Sequence, residues 1–98
     1  MKRYVLSKPA ERDLDQITAY LFEKAGPRVA REILHEIRAG IRFVASRPEA
    51  GHLREDLTDE PIRFWPIFSF LILYDPAREP VEVVRIIHGA RDVASILG

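Results

Sequence analysis

Between residues 10 and 44, apolar side chains recur at helical spacing in two separate runs, and the string Ala25-Gly26-Pro27 stands between them. The first run is Ala10, Leu14, Ile17 and Leu21, at steps of four, three and four, which puts all of them in one narrow stripe of a helix. The second is Ala30, Ile33, Leu34, Ile37, Ile41 and Val44. Glycine closes a helix readily and proline is favoured in the first turn of the next, so the pattern predicts a helical hairpin with an apolar stripe along each arm. Ser7 is the predicted N-cap with Pro9 tolerated in the first turn, and Pro48 stops the second helix near Ser46-Arg47.

Two apolar stripes need a surface to cover, and the second half of the chain supplies one. The opening "RYVLS" alternates as a short strand does. "IRFWPIFSFLILYD" at 62–75 is too apolar and aromatic for a surface helix, and Pro66 would break one, so it predicts two antiparallel strands, Ile62 to Trp65 and Phe68 to Tyr74, hinged near Pro66. "DPAREP" at 75–80 reads as a turn and "VEVVRIIH" at 81–88 as a third strand. Ile72, Tyr74, Val84 and Ile86 are expected in the core or in cross-strand pairs. The fold class is therefore α+β: a short N-terminal strand and a helical hairpin packed on a small antiparallel sheet, with a short C-terminal helix. That last helix, with Asp92 as N-cap and Val93, Ile96 and Leu97 as its apolar face, is too short to be stable alone and must dock on the core. Phe22 and Phe43 fall off the main stripes. A chain of 98 residues suits a single domain, 1–98.

Charge narrows the function. The formal net charge is zero, yet residues 1–47 carry ten Lys/Arg against six Asp/Glu, while residues 48–60 carry one Arg and five acids. Arg28, Arg31, His35, Arg38 and Arg42 follow at steps of three, four, three and four, a basic row along the second helix with Glu32 and Glu36 beside it. The row is either a solvated face laced with helix ion pairs or a surface for an acidic partner or nucleic acid. With no cysteine there is no disulfide, thiolate metal site or cysteine nucleophile. His35, His52 and His88 show no metal-ligand spacing, and no Gly-rich phosphate loop occurs, so no cofactor or metal is expected. Neither a signal-peptide core nor a bilayer-spanning segment is seen, and a cytoplasmic protein without membrane contact is expected.

The ordered set "YVLS" into "AERDLDQI", "RPEAGHLRED", "FLILYD", and "VEVVRIIHGARD" before a short terminal helix resembles the ParE branch of the RelE/ParE toxin superfamily over almost the full chain. The resemblance implies a bacterial type II toxin, held in check by a cognate antitoxin that also binds DNA. It implies one of two activities: ParE-like members inhibit DNA gyrase by binding, and RelE-like members cleave mRNA on the ribosome.

"VRIIHGARD" at 84–92 is where these alternatives part. Scission by a 2′-hydroxyl needs a base, an acid and cations at the phosphorus, roles open to His88, Arg63 and Arg85 if adjoining strands bring them together. RelE-like nucleases usually add lysines or a glutamate on the sheet and a tyrosine near the C-terminus. Here Lys2, Lys8 and Lys24 all precede the sheet and nothing after Tyr74 is aromatic. The favoured reading is therefore a gyrase-binding toxin with no catalytic residues, in which His88 ends a strand, Gly89 lets the chain turn off the sheet, and DNA is reached only through gyrase or the antitoxin. Arg28, Arg31, Arg38, Arg42 and Arg91 are then candidates for target or antitoxin contact. The alternatives are a ribosome-dependent endoribonuclease using Arg63, Arg85 and His88, and a decayed toxin that keeps only antitoxin binding.

Overall fold

The computed structural model describes residues 3–89 and 93–97, leaving aside the side chains of Ala94 and Ser95. Strand β1 (Tyr4–Leu6) leads into the helical span α1 (Lys8–Ser46). Ser7 caps that span as its sequence position predicts, its Oγ accepting from the Ala10 N–H at 3.1 Å and donating to the Val84 carbonyl at 2.8 Å. Thirty-nine residues of straight helix would run about 58 Å, whereas the whole molecule is 36 Å in its longest dimension. The chain folds back at Gly26, whose φ of 84° and ψ of 166° suit glycine alone. The hairpin thus has no loop: a single non-helical residue separates a first arm (8–25) from a second (27–46).

The two stripes meet over the sheet, with Ala10, Ile17, Leu21, Ala30, Leu34, Ile37 and Ile41 packed against Phe70, Ile72, Val83 and Ile86. A short 3₁₀ turn (Pro48–Ala50) follows, then β2 (His52–Leu53), β3 (Arg63–Ile67), β4 (Phe70–Asp75) and β5 (Val81–His88). The sheet order is β1-β5-β4-β3-β2. β3, β4 and β5 pair antiparallel as expected; β2, which falls in a stretch where no strand was expected, pairs antiparallel with β3, and β1 adds to the edge of β5 in parallel. Helix α2 (Val93–Leu97) docks on the opposite face, with Val93 buried beside Ile62, Phe64, Leu73 and Ile87. The predicted Asp92 cap lies outside the described residues.

Pro66 is not the hinge. It lies within β3 opposite Leu71, and the turn is made at Phe68 and Ser69. A proline is tolerated there because β2 reaches only Phe64 and Arg63, so the ladder donor that Pro66 lacks would face an open edge. Phe68 takes a φ of 55° in the two-residue connection, the positive value that tight hairpins need in their first central position.

Candidate functional site

The strand-end residues come first, because their positions decide what chemistry the sheet can perform. In β5 the register shifts: Val83 pairs with Tyr74 and Arg85 with Leu73, leaving Val84 as the extra residue of a β-bulge. Val83 and Ile86 therefore face the hairpin, as does His88, while Val84, Arg85 and Ile87 face α2.

From that face Arg85 reaches round the sheet edge to the first arm. Its Nε and Nη2 donate to the two carboxylate oxygens of Asp13 at 2.7 and 2.8 Å, and Nη1 donates to the Ile96 carbonyl at 3.4 Å. The Ile86 N–H donates to the same carboxylate at 3.0 Å. Hydrogen bonding to Asp13 raises the Arg85 pKa above its ordinary value and Coulomb attraction adds to this, with partial burial pulling the other way.

Arg63 is committed elsewhere. Its Nη1 donates to the Gly51 carbonyl at 2.7 Å, beside buried Tyr74, whose hydroxyl donates to the Pro48 carbonyl at 2.6 Å and accepts from the Gly51 N–H at 2.8 Å. Burial pushes the Tyr74 phenol up from its ordinary value, against smaller opposing effects of the Gly51 N–H and the Arg63 charge. His88 stacks on Phe70 at 4.7 Å between ring centroids, and its Nε2 lies 2.9 Å from Ser69 Oγ. Gly89 then turns the chain with a φ of 84°, its N–H donating to the Ser69 carbonyl, in the role its position predicts.

The three catalytic candidates do not converge. Arg63 lies opposite Tyr74 and His88 opposite Phe70, about 13 Å apart along β4 at strand rise, and Arg85 issues from the other face. A groove of about 310 Å³ does border both Arg85 and His88, with Tyr20 and Gln16 from the first arm on its walls. In outline this is an imidazole and a guanidinium in one hollow with a phenol nearby. The guanidinium, however, is already neutralised by Asp13, which removes the charge that a phosphorane would require.

Uncommitted cations lie instead on the outer face of the hairpin. Arg31, His35, Arg38 and Arg42 line a second groove, about 470 Å³, with Phe22 and Thr18 of the first arm across from them. Arg28 is exposed but does not line it. The Arg31 guanidinium stands 5.8 Å from the Phe22 ring centroid, which accounts for one aromatic off the stripes; Phe43 packs against Trp65 in a tilted pair, 5.0 Å between ring centroids, and accounts for the other. Ion pairs form at Lys8–Glu11, Lys24–Glu23, Arg54–Asp56, Arg78–Asp75 and Arg85–Asp13. Among the described residues none joins Glu32 or Glu36 to the row, so the expected lacing is missing. Arg91 lies outside the described residues. Among those described, no group of three His, Cys, Asp or Glu could hold a metal ion, and no helix is long and apolar enough to cross a membrane.

Sequence reading missed Asp13 and the hydrogen bonds of Tyr74. No local pattern marks Asp13, since its partner is 72 residues away. Tyr74 was expected in the core, and only its hydroxyl went unforeseen.

Residues 4–93 match the family described as "ParE toxin of type II toxin-antitoxin system, parDE". The chain belongs to the ParE toxin family. Toxin ParE1 of Caulobacter vibrioides is 31% identical over 98 residues, all of both chains, and Toxin ParE3 of the same organism is 29% identical over all of this chain and 97% of that one. A solved chain of the "Chromosomal ParDE TA system from P. aeruginosa" superposes with a TM-score of 0.73 at 18% identity, covering 91% of this chain and 97% of the other, which supports the fold. For a ParE family toxin, the committed sheet arginines and the open hairpin cations are the relevant contrast.

Proposed function

We propose that this ParE family toxin works by recognition: it binds DNA gyrase in the cytoplasm and arrests it, and a cognate antitoxin silences it by covering the surface it uses. The observation that carries this reading is the division of cations. Arg63 and Arg85 are spent on holding β3 and β5 in place, whereas Arg31, Arg38 and Arg42 stand on the hairpin with no carboxylate in ion-pair range among the described residues. Arg28 and Arg91 complete the set of candidate contacts for target or antitoxin.

A ribosome-dependent endoribonuclease is the second reading, and the groove shared by His88, Tyr20 and Arg85 is what favours it. Purified toxin added to a gyrase supercoiling reaction and, separately, to a translating extract separates the two. Blocked supercoiling with intact messages is expected. Codon-positioned cuts that vanish in His88→Ala, with supercoiling untouched, would replace the first reading with the second.

A further inference from the structure

The turn between β3 and β4 carries an aromatic ring that the core does not use. Phe68 is 69% exposed, more than any other large apolar residue among those described, the next being Leu53 at 50%. It joins none of the apolar clusters and, among the described residues, meets no other ring. Its φ of 55° is one that glycine takes at no steric cost and an aromatic residue takes under strain. A phenyl ring here therefore costs stability twice, through the backbone and through apolar surface left in water. Strain of this kind persists where a function uses it. The tip is also held still. The Gly89 N–H donates to the Ser69 carbonyl at 2.9 Å, and Ser69 Oγ lies 2.9 Å from His88 Nε2, so the turn is tied to the end of β5. A fixed aromatic knob enters a contact with little ordering cost.

Charge and shape state what receives it. From Phe64 to Tyr74 no residue is charged, so the tip offers nothing to a phosphate backbone or an acidic segment. Phe68 lines neither of the two grooves, which are concave and suit a segment of another chain. A projecting turn needs a concavity instead, and a folded partner supplies one. We infer that Phe68 is the aromatic anchor of this toxin, inserting its ring into an uncharged apolar pocket on gyrase. The inference deepens the proposed function and rests on it, adding an apolar contact that the hairpin arginines do not provide. Aromatic side chains seated in such pockets carry a large share of the affinity of protein contacts.

The test compares the purified chain with its Phe68→Gly, Phe68→Asn and Phe68→Leu variants in gyrase supercoiling reactions and in thermal melts. Glycine and asparagine tolerate the φ of this turn without the ring, so both variants should melt at or above the wild-type temperature. Both should nonetheless need about 30-fold more protein to arrest supercoiling, the loss expected of an aromatic anchor. Phe68→Leu keeps an apolar body and should lose less than either. Three results overturn the inference. The first is a loss of less than about tenfold in arrest by Phe68→Gly. The second is a Tm of Phe68→Gly lower by more than about 5 °C, which would make the ring part of the fold. The third is concentration-dependent sedimentation of the wild type that Phe68→Gly abolishes, which would give the tip to a second copy of the chain. Failure of the two proposals is distinguishable: a wild-type chain that leaves supercoiling untouched removes the proposed function, whereas a wild type that arrests gyrase beside an equally active Phe68→Gly removes only this inference.

Discussion

Replacing Asp13 by alanine tests whether Arg85 holds the sheet edge or serves chemistry. The carboxylate accepts two charge-assisted hydrogen bonds from Arg85 and a third from the Ile86 N–H. Charge-assisted bonds contribute about 1.5–3 kcal/mol each when well buried. The Arg85 side chain keeps 26% of its surface exposed and that of Asp13 11%, so solvent screening discounts the pair. Adding about 1 kcal/mol for an Ile86 N–H left without a partner brings the loss to roughly 3 kcal/mol. For a chain of 98 residues that lowers Tm by roughly 15 °C. Asp13→Asn keeps an acceptor for Ile86 and should lose about half as much. Urea melts of Asp13→Ala, Arg85→Ala and the double variant should return a coupling of about 1.5–3 kcal/mol. A loss under 1 kcal/mol for Asp13→Ala, or an Arg85→Ala variant that melts like the wild type while losing activity, would refute the structural role and return Arg85 to the catalytic candidates.

Two further predictions concern glycine positions. Gly51 has φ −70° and ψ 169°, values open to any residue, but a Cβ there would collide with Tyr74 Oη and lie 2.7 Å from its Cε1; Gly51→Ala should cost about 2–3 kcal/mol in a thermal melt. The Tyr74 pKa is raised in the fold, so the unfolded chain loses its phenol proton first, and stability should fall as pH rises past about 10, less so in Tyr74→Phe. Gly26→Ala meets nothing within 4 Å, yet its φ of 84° makes it cost about 1–3 kcal/mol of backbone strain, measurable by the same melts.

The helical hairpin was legible because its signals are local: two stripes at helical period with Ala-Gly-Pro between them. The consecutive strands followed from the same kind of reading. What escaped was set by pairs distant in sequence. Tyr4 pairs in parallel with Val81, and nothing in "RYVLS" indicates that partner. Pro66 argues for a hinge unless it is known that β2 stops short of it. At the candidate site the basic row was visible from its spacing, but the expected ion pairs with Glu32 and Glu36 depend on how side chains orient, which spacing leaves open. That Arg63 and Arg85 serve structure could not be seen without Gly51 and Asp13 beside them.

The brevity of β1 connects these observations. It covers β5 only from Val81 to Val83, while β5 continues to His88 along an edge that would otherwise leave backbone groups unpaired. The start of the helical span takes over that edge: the Ser7 N–H donates to Val83, its hydroxyl donates to Val84, and Asp13 accepts from Ile86. A carboxylate brought in to satisfy one N–H would stand partly buried without a counter-charge, and Arg85, pushed to the opposite face by the bulge, swings round to supply it. The cation best placed for phosphodiester chemistry is thereby consumed in completing a sheet edge. The outer hairpin face carries no such structural duty, which leaves its arginines available for another molecule.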